Sequence, residues 1–325
     1  MTSTDSTAQD CALIALDWGT SSLRCYRFDA RGQVTERRSH PWGIMQLPQV
    51  EGGAANPDLA FRAALESACG DWLAAAPTAP LIAAGMVGSK QGWREAPYLT
   101  VPLMPERIGR KLLEVDTGLG RTLHIVPGLL QVSALPNVMR GEETQVVGAL
   151  AQWQENELLI GLPGTHSKWV RVSHGKIQHF DTFMTGEVYG ALSAHTILGR
   201  TMQQPTVPDD AAFLRGVRVA QSADGRAGVL SNIFSSRTLG LTGELAPAAQ
   251  PDYLSGLLIG HELAALQAMH LSAPQRIGLI GDPKLCRRYR LALELLELGP
   301  VTEAQHATET GLWLLARHAG LVAGH

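Results

Sequence analysis

Residues 14–23 read Ile-Ala-Leu-Asp-Trp-Gly-Thr-Ser-Ser-Leu: an apolar run that ends in an acid, a glycine and three consecutive hydroxyl residues. Apolar and aromatic positions resume at Leu23, Cys25, Tyr26 and Phe28. The pattern predicts a β-hairpin turning at Gly19, with a loop suited to an anion. Gly19 permits positive φ or a close backbone approach. Backbone N–H groups and the hydroxyls of Thr20, Ser21 and Ser22 are donors for phosphate oxygens. Asp17, at the strand end, is placed to hold Mg²⁺ through water. On this stretch alone, an ordinary strand-turn-strand with polar turn residues is the competing reading.

The rest of the chain repeats that theme. A third strand is expected from Val34, after the Ala30-Arg31-Gly32 turn, and residues 39–56 read as irregular. Residues 57–74 predict a helix, with Asn56 as N-cap, Pro57 in the first turn and an apolar stripe through Phe61, Leu65, Ala68 and Trp72. Residues 81–88 read as a buried strand ending in a Gly-rich loop, and 97–125 as turns and short strands. Gly141-Glu142-Glu143 opens a helix carrying Val146, Val147, Ala149, Leu150 and Trp153. Strand 158–162 leads into the loop Pro163-Gly164-Thr165-His166-Ser167-Lys168, then strands 169–172 and 176–180. A helical region is expected over 182–198, mostly helix to about 270, a buried strand at 277–281, a helix at 284–297 and a last helix at about 303–319. This alternation predicts an α/β fold, and strand, hydroxyl loop, strand occurs twice, as in a weak internal duplication.

Composition excludes several classes. A chain of 325 residues, 45% hydrophobic, has ample core for two domains, with a boundary expected near 125–136. A net charge of −3 gives no electrostatic footprint for nucleic acid. Cys11, Cys25, Cys69 and Cys286 form no CxxC pair and imply no disulfide framework. His261-Glu262-Leu263 lacks the second His of a zinc-binding HExxH. The first ten residues are polar and acidic, without a basic segment leading into a signal-peptide core. The apolar runs near Leu158 and Ile277 are too short to span a bilayer. A cytoplasmic protein without membrane or nucleic-acid partners is the expectation; a homo-oligomer is compatible with the chain.

Four segments then carry a resemblance: residues 16–24 (LDWGTSSLR), 85–98 (GMVGSKQGWREAPY), 138–150 (VMRGEETQVVGAL) and 162–169 (LPGTHSKW). They resemble, in order, the signature segments of the 2-dehydro-3-deoxygalactonokinase family of the actin, hexokinase and Hsp70 superfamily. Residues 183–192 and 278–293 fit as well. The resemblance implies two ribonuclease-H-like (actin-like ATPase) domains, residues 1–130 and 131–325, around a nucleotide- and sugar-binding cleft. The last helix is free to pack back on the first domain. It implies transfer of the γ-phosphoryl group of ATP, with Mg²⁺, to the terminal hydroxyl of 2-dehydro-3-deoxy-D-galactonate. Domain closure would exclude water, a nucleophile similar to the substrate hydroxyl.

Phosphoryl transfer needs positioning, charge neutralisation and a proton acceptor. The resemblance assigns Asp17 to Mg²⁺ and Gly19, Thr20 and Ser21 to the transferring phosphate. Gly164, Thr165, His166 and Lys168 fall to the second phosphate loop, and Gly281 and Asp282 to the adenosine side, with Leu285 and Tyr289 as pocket walls or core partners. Relatives carry an Asp after a Gly at a helix start, and Glu142 matches that position. Because it is Glu rather than Asp, Glu143 competes for the role of catalytic acid or base, and both also suit a helix N-terminus. Substrate recognition falls to Trp18, Arg24, Gly85, Met86, Ser89, Lys90, Gln91, Trp93 and Arg94, which offer donors for a carboxylate, a keto oxygen and hydroxyls. Arg24 equally suits a salt bridge, Lys168 an exposed strand position, and Trp18 and Trp93 the core. Lys284, Arg287, Arg288 and Arg290 read as a solvated helix face. A kinase of a related acid such as 2-dehydro-3-deoxy-D-gluconate, or a nucleotide-binding regulatory protein without turnover, are the alternatives.

Overall fold

The apolar run at 13–16 and the apolar positions resuming at Leu23 form a hairpin, and the computed structural model shows it as β1 (Leu13–Trp18) and β2 (Leu23–Phe28). The structure describes residues 11–53, 55–270 and 276–323; the polar N-terminal segment lies outside them. The chain continues through β3 (Val34–His40), α1 (Pro57–Ala75), β4 (Leu81–Ala84), β5 (Leu99–Thr100), α2 (Glu106–Gly109), β6 (Leu113–Asp116), β7 (Thr122–Ile125), β8 (Leu129–Gln131), β9 (Asn137–Met139) and α3 (Glu142–Trp153). It goes on through β10 (Leu158–Leu162), β11 (Ser167–Ser173), β12 (Lys176–Phe183), α4 (Thr185–His195), α5 (Asp210–Gln221), α6 (Val229–Asn232), α7 (Ser235–Leu241) and α8 (Gln250–His270). The last elements are β13 (Ile277–Leu279), α9 (Pro283–Leu295), β14 (Val301–Glu303) and α10 (Ala307–His318). The fold is α/β.

The chain divides into two compact units. Unit 1 holds residues up to Asn156, Ser173–His179 and the chain from Ala304; unit 2 holds Glu157–Val172 and Phe180–Glu303. Residue 130, the boundary drawn from sequence, lies inside β8 and within unit 1. α3 stays in unit 1 because it crosses α10 at backbone contact: a Cβ on Gly148 would sit 2.0 Å from Ala307 O, and one on Gly311 1.9 Å from Thr144 O.

Unit 1 contains a six-stranded sheet in the order β3-β2-β1-β4-β7-β6. β1 is antiparallel to β2 and parallel to β4, and β4 is parallel to β7. Ile14, Leu16, Trp18, Phe61, Leu65, Trp72, Ala83 and Ile125 belong to its core. α1 starts as its sequence directs, with Asn56 Oδ1 accepting from Asp58 N at 3.2 Å and Pro57 in the first turn. The other large sheet has the order β12-β11-β10-β13-β14. Again the first hairpin is antiparallel (β10 with β11), and β10-β13 and β13-β14 are parallel. Unit 2's core joins Leu159, Trp169, Phe213, Leu263, Leu279 and Tyr289.

Two boundaries differ from the sequence reading. β12 runs through Phe183, so the helix expected from 182 begins at Thr185. The last helix, expected from about 303, begins at Ala307, and Val301–Glu303 form strand β14, whose partner β13 is remote in sequence. The cysteines are free, with Cys25, Cys69 and Cys286 buried. No helix among the described residues is long and apolar enough to cross a membrane.

Candidate active site

The parallel pairing of β1 and β4 brings their carboxyl ends together, with Asp17 opposite Ala84. The chain leaves β1 toward β2 on one side, while β4 lies on the other. Such reversals of strand order open a crevice at the carboxyl ends. The hairpin turn there is closed by Gly19 N donating to Ser22 O at 2.9 Å. Residues 42–45 brace it: Trp18 Nε1 donates to Trp42 O at 2.8 Å, Ile44 N to Gly19 O at 3.0 Å and Met45 N to Thr20 O at 3.1 Å. Thr20 and Ser21 are exposed.

Asp17 is the charged centre of this corner. Arg24 stands opposite it in the β-ladder and its Nη1 lies 3.3 Å from Asp17 Oδ2. Burial pushes the Asp17 carboxyl above its ordinary pKa, Arg24 pulls it down, and Glu309 and Glu142 push it up again. Gly85 follows β4 with φ of +93°, where a Cβ would sit 2.8 Å from Trp18 O and 3.6 Å from Asp17 Oδ1. A Cβ on Gly141, just before α3, would in turn lie 3.3 Å from Gly85 Cα. Only at a glycine can the chain pass between Asp17 and the start of α3 at this spacing.

The two glutamates that open α3 differ in setting. Glu143 is fully buried; its oxygens lie 2.9 and 2.8 Å from Gly141 N, and Thr144 Oγ1 is 3.3 Å from Oε1. Burial first, and then the neighbouring Glu142, push Glu143 up to about 8, against smaller opposing effects of backbone N–H groups and Arg140. Glu142 is partly exposed and accepts from Arg140 N at 3.0 Å. A carboxyl that keeps its proton through neutral pH cannot take up another there, so these settings separate the two residues.

The donor-rich segment 85–98 splits into parts. Lys90 and Gln91 are exposed and Met86 is half-buried, whereas Ser89 is buried. Trp18 and Trp93, expected at a substrate surface, belong to the core: each rings against Phe61, at centroid distances of 5.5 Å. Arg94, expected to bind a carboxylate, makes a two-pronged bond to Asp58, both contacts at 2.7 Å. The guanidinium that packs inside the segment is Arg140, which the sequence reading did not single out. Its Nη2 donates to Ala96 O at 2.8 Å and its charge lies 4.4 Å from the Tyr98 ring centroid. Its position directly before Gly141-Glu142 was the available signal.

In unit 2, β10 and β13 end side by side in the same way. Gly164 and exposed Thr165 form the turn after β10, and Gly164 N donates to Ser167 Oγ at 3.4 Å. Exposed His166 pairs with Glu187 through Nε2. Lys168 is buried, not an exposed strand residue, and its Nζ donates to His166 O at 3.3 Å. Gly281 is exposed, and Asp282 caps α9, accepting from Lys284 N at 2.9 Å and Leu285 N at 3.1 Å. Beside the loop lies a cavity of about 260 Å³ lined by Gly164, Thr185, Gly186, Tyr189, Leu258, Ile259, Leu285, Arg288 and Tyr289, among others. The three arginines of α9 are ion-paired: Arg287 with Asp210, Arg288 with Asp252 and Arg290 with Glu303.

The residues at Asp17 suit Mg²⁺, which commonly takes one or two protein carboxylates and completes its shell with water and phosphate oxygens. A desolvated carboxylate whose proton affinity is raised gains from an added cation. Among the described residues, no cluster of three or more His, Cys, Asp or Glu side chains forms an all-protein cage.

Comparisons with known proteins converge. A family model described as 2-keto-3-deoxy-galactonokinase matches residues 17–315. A Rhizobium meliloti (strain 1021) protein described as a probable 2-dehydro-3-deoxygalactonokinase is 36% identical over 309 residues, covering 93% of this chain and 96% of the relative. The 2-dehydro-3-deoxygalactonokinase of Escherichia coli (strain K12) is 33% identical over 284 residues, covering 87% and 89%. A crystal structure from Sinorhizobium meliloti, assigned as a 2-dehydro-3-deoxygalactonokinase protein, matches with a TM-score of 0.83 at 34% identity, covering 94% of this chain and 98% of the other.

Proposed function

The chain belongs to the 2-keto-3-deoxy-galactonokinase family, and from that premise we propose that it transfers the γ-phosphoryl group of ATP to the terminal 6-hydroxyl of 2-dehydro-3-deoxy-D-galactonate. The products are 2-dehydro-3-deoxy-6-phospho-D-galactonate and ADP, a step of D-galactonate catabolism. The common order of the two large sheets supports reading the units as ribonuclease-H-like domains of the actin, hexokinase and Hsp70 superfamily.

The observation that carries the chemistry is the corner where Gly85 separates Asp17 from the start of α3. Glu142 is the general base: it is partly exposed, follows a glycine at a helix start and takes the hydroxyl proton as the new P–O bond forms and the β-γ bridge breaks. Glu143, buried and proton-retaining, holds the Gly141 backbone instead. Asp17 holds Mg²⁺ through water, with Arg24 limiting the local negative charge. Mg²⁺ supplies charge neutralisation on the phosphate oxygens when bound. Gly19, Thr20 and Ser21 offer donors to the transferring phosphoryl group. Lys90, Gln91 and Met86 present the accessible part of the acceptor segment.

We assign the nucleotide to unit 2. Gly164, Thr165, His166 and Lys168 surround the phosphate loop, and the neighbouring cavity offers apolar walls and the Tyr189 and Tyr289 rings to a purine. Asp282 serves by capping α9, which places Leu285 and Tyr289 at that cavity.

The test is coupled ADP release with Mg-ATP and a panel of galacto and gluco 2-dehydro-3-deoxy acids, galactonate, glucose and glycerol. Turnover with the galacto acid in preference to the others is expected. Glu142→Gln should lower kcat by about 10²–10⁴-fold while ATP still binds, the contribution typical of a positioned base. Unchanged turnover in that variant would remove Glu142 from the role.

A further inference from the structure

A glutamate occupies the interior of unit 2, where Leu258, Ile259, Leu263 and Leu266 of α8 surround it along the helix. Glu262 is 3% exposed and lies among the core residues Ile259, Leu263 and Leu266. Its carboxylate accepts from Trp169 Nε1 at 2.7 Å, from Tyr289 OH at 2.8 Å and from Thr185 Oγ1. Burial raises its proton affinity above the ordinary carboxylate value, and these three bonds, which favour the ionised acceptor, offset part of that rise. A buried charge is tolerated only when it is hydrogen-bonded in this way.

The carboxylate fixes the direction of a longer chain of hydrogen bonds. Tyr289 donates its single proton to Glu262, so its 3.0 Å contact with Ser167 Oγ is one it accepts. Ser167 therefore donates to Tyr289, and its remaining lone pairs face Gly164 N, 3.4 Å away. The sequence Gly164 N–H, Ser167 O–H, Tyr289 O–H, Glu262 carboxylate runs one way only. A second arm ends at Thr185, the first residue of α4. There Gly186 packs so closely on the loop that a Cβ would lie 2.4 Å from Gly164 O, and Glu187 N donates to Thr165 O at 3.0 Å. Gly164, Thr185, Gly186 and Tyr289 all line the cavity, whereas Glu262 does not.

We propose that Glu262 is a positioning residue of the nucleotide site: without touching the nucleotide, its carboxylate sets the phosphate loop and the start of α4 in the arrangement that receives ATP. The proposal rests on the assignment of the nucleotide to unit 2. A polar residue serving stability alone would leave nucleotide affinity unchanged in the protein that remains folded. A positioning residue acts on affinity for the nucleotide and leaves the acceptor alone.

Mg-ADP binding by titration calorimetry separates these outcomes and does not depend on turnover. Glu262→Gln keeps the shape but replaces one acceptor oxygen with an amide donor, which must face at least one of the three donors. The ADP Kd and the KM for ATP should rise about tenfold, equivalent to about 1.4 kcal/mol, with the KM for the sugar acid within about twofold of the parent. Tyr289→Phe removes only the arm to Ser167 and Gly164, and a smaller rise of about threefold is expected. A folded Glu262→Gln protein with the parent's ADP affinity overturns the proposal. If that variant does not fold, unchanged ADP affinity in Tyr289→Phe overturns it instead. Failure of the parent protein to bind Mg-ADP, when it binds the sugar acid, overturns the nucleotide assignment itself and the proposal with it.

Discussion

Glu143 ties the stability of this protein to pH, and Glu143→Gln is the perturbation that exposes the link. The side chain is fully buried, with its proton affinity raised from 4.5 to about 8 by burial and by Glu142. In the unfolded chain the same carboxyl titrates at its ordinary value. The folded state therefore holds this proton more tightly, and the stability it contributes is complete below pH 4.5 and is lost as pH rises to about 8. At about 1.4 kcal/mol per tenfold change in proton affinity, the full loss is about 5 kcal/mol. About 4 kcal/mol of it falls between pH 5 and pH 9. Glutamine has no such titration, and its carbonyl can still accept from Gly141 N while its amide faces Thr144 Oγ1. Urea unfolding of both proteins at pH 5, 6, 7, 8 and 9 gives the difference in unfolding free energy at each pH. Any fixed cost of the substitution shifts that difference by a constant, so the slope is the readout. The variant should gain on the parent as pH rises to about 8 and level off above it. Parallel curves would refute the buried, proton-retaining setting of Glu143, and with it the argument that separates Glu143 from Glu142.

Three further substitutions probe the same unit. Gly85→Ala forces a side chain into a glycine-only conformation against Trp18 O; a loss of about 1–3 kcal/mol is expected in denaturant unfolding, and an unchanged midpoint would contradict the close packing at Asp17. Asp17→Asn should cut kcat at saturating Mg-ATP by at least about 10²-fold, the scale of losing a preorganised charge contact in a transition state; parent-like turnover at low Mg²⁺ would dissociate Asp17 from the metal. Arg94→Ala should leave the acceptor KM within about twofold and cost at most about 1 kcal/mol of stability, because Arg94 is half exposed in its pair with Asp58; a tenfold or larger rise in acceptor KM would return Arg94 to the substrate site.

What the sequence disclosed follows the range of the interactions involved. The two hairpins, α1 and the start of α3 depend on local signals: short apolar runs, the Asn56-Pro57 cap, and glycines at chain turns. These were legible. β14 was not, because Val301-Thr302-Glu303 is too short to show a period and exists through pairing with β13. The place of α3 in unit 1 was equally hidden, since Gly148 and Gly311 look like weak helix positions until they are seen to meet opposite helices. At the site, residue type indicated chemistry but not allegiance. Arg94 and Arg140 are both guanidiniums near the acceptor segment, and only the fold pairs one with Asp58 and packs the other on Tyr98. Trp18 and Trp93 were ambiguous for the same reason, since their partner Phe61 lies on α1. Glu262 carried no signal for this role beyond an incomplete HExxH: its donors come from residues 169, 185 and 289.

The recurrence of one strand order in both sheets explains why the candidate ligand residues fall where they do. In each, a first strand turns into an antiparallel hairpin on one side and pairs in parallel on the other. The crevice produced at the carboxyl ends is a consequence of topology, available before any side chain is chosen. A glycine follows the parallel neighbour in both cases. Gly85 sits against Trp18 O, and a Cβ on Gly281 would lie 3.3 Å from Pro163 O. A cation stands at the base of each hairpin, Arg24 opposite Asp17 and Lys168 opposite Leu162. The differences then suit the two corners to different contacts. The first hairpin keeps an acid beside its cation, which suits a metal-assisted phosphoryl group. The second has Leu162 in place of the acid, with Pro163 after it, and the carboxylate at its loop is that of Glu187, paired with His166. A duplicated corner of this kind suits the two different phosphate contacts that the proposed function needs through changes at a few positions, and the shared topology makes those positions comparable.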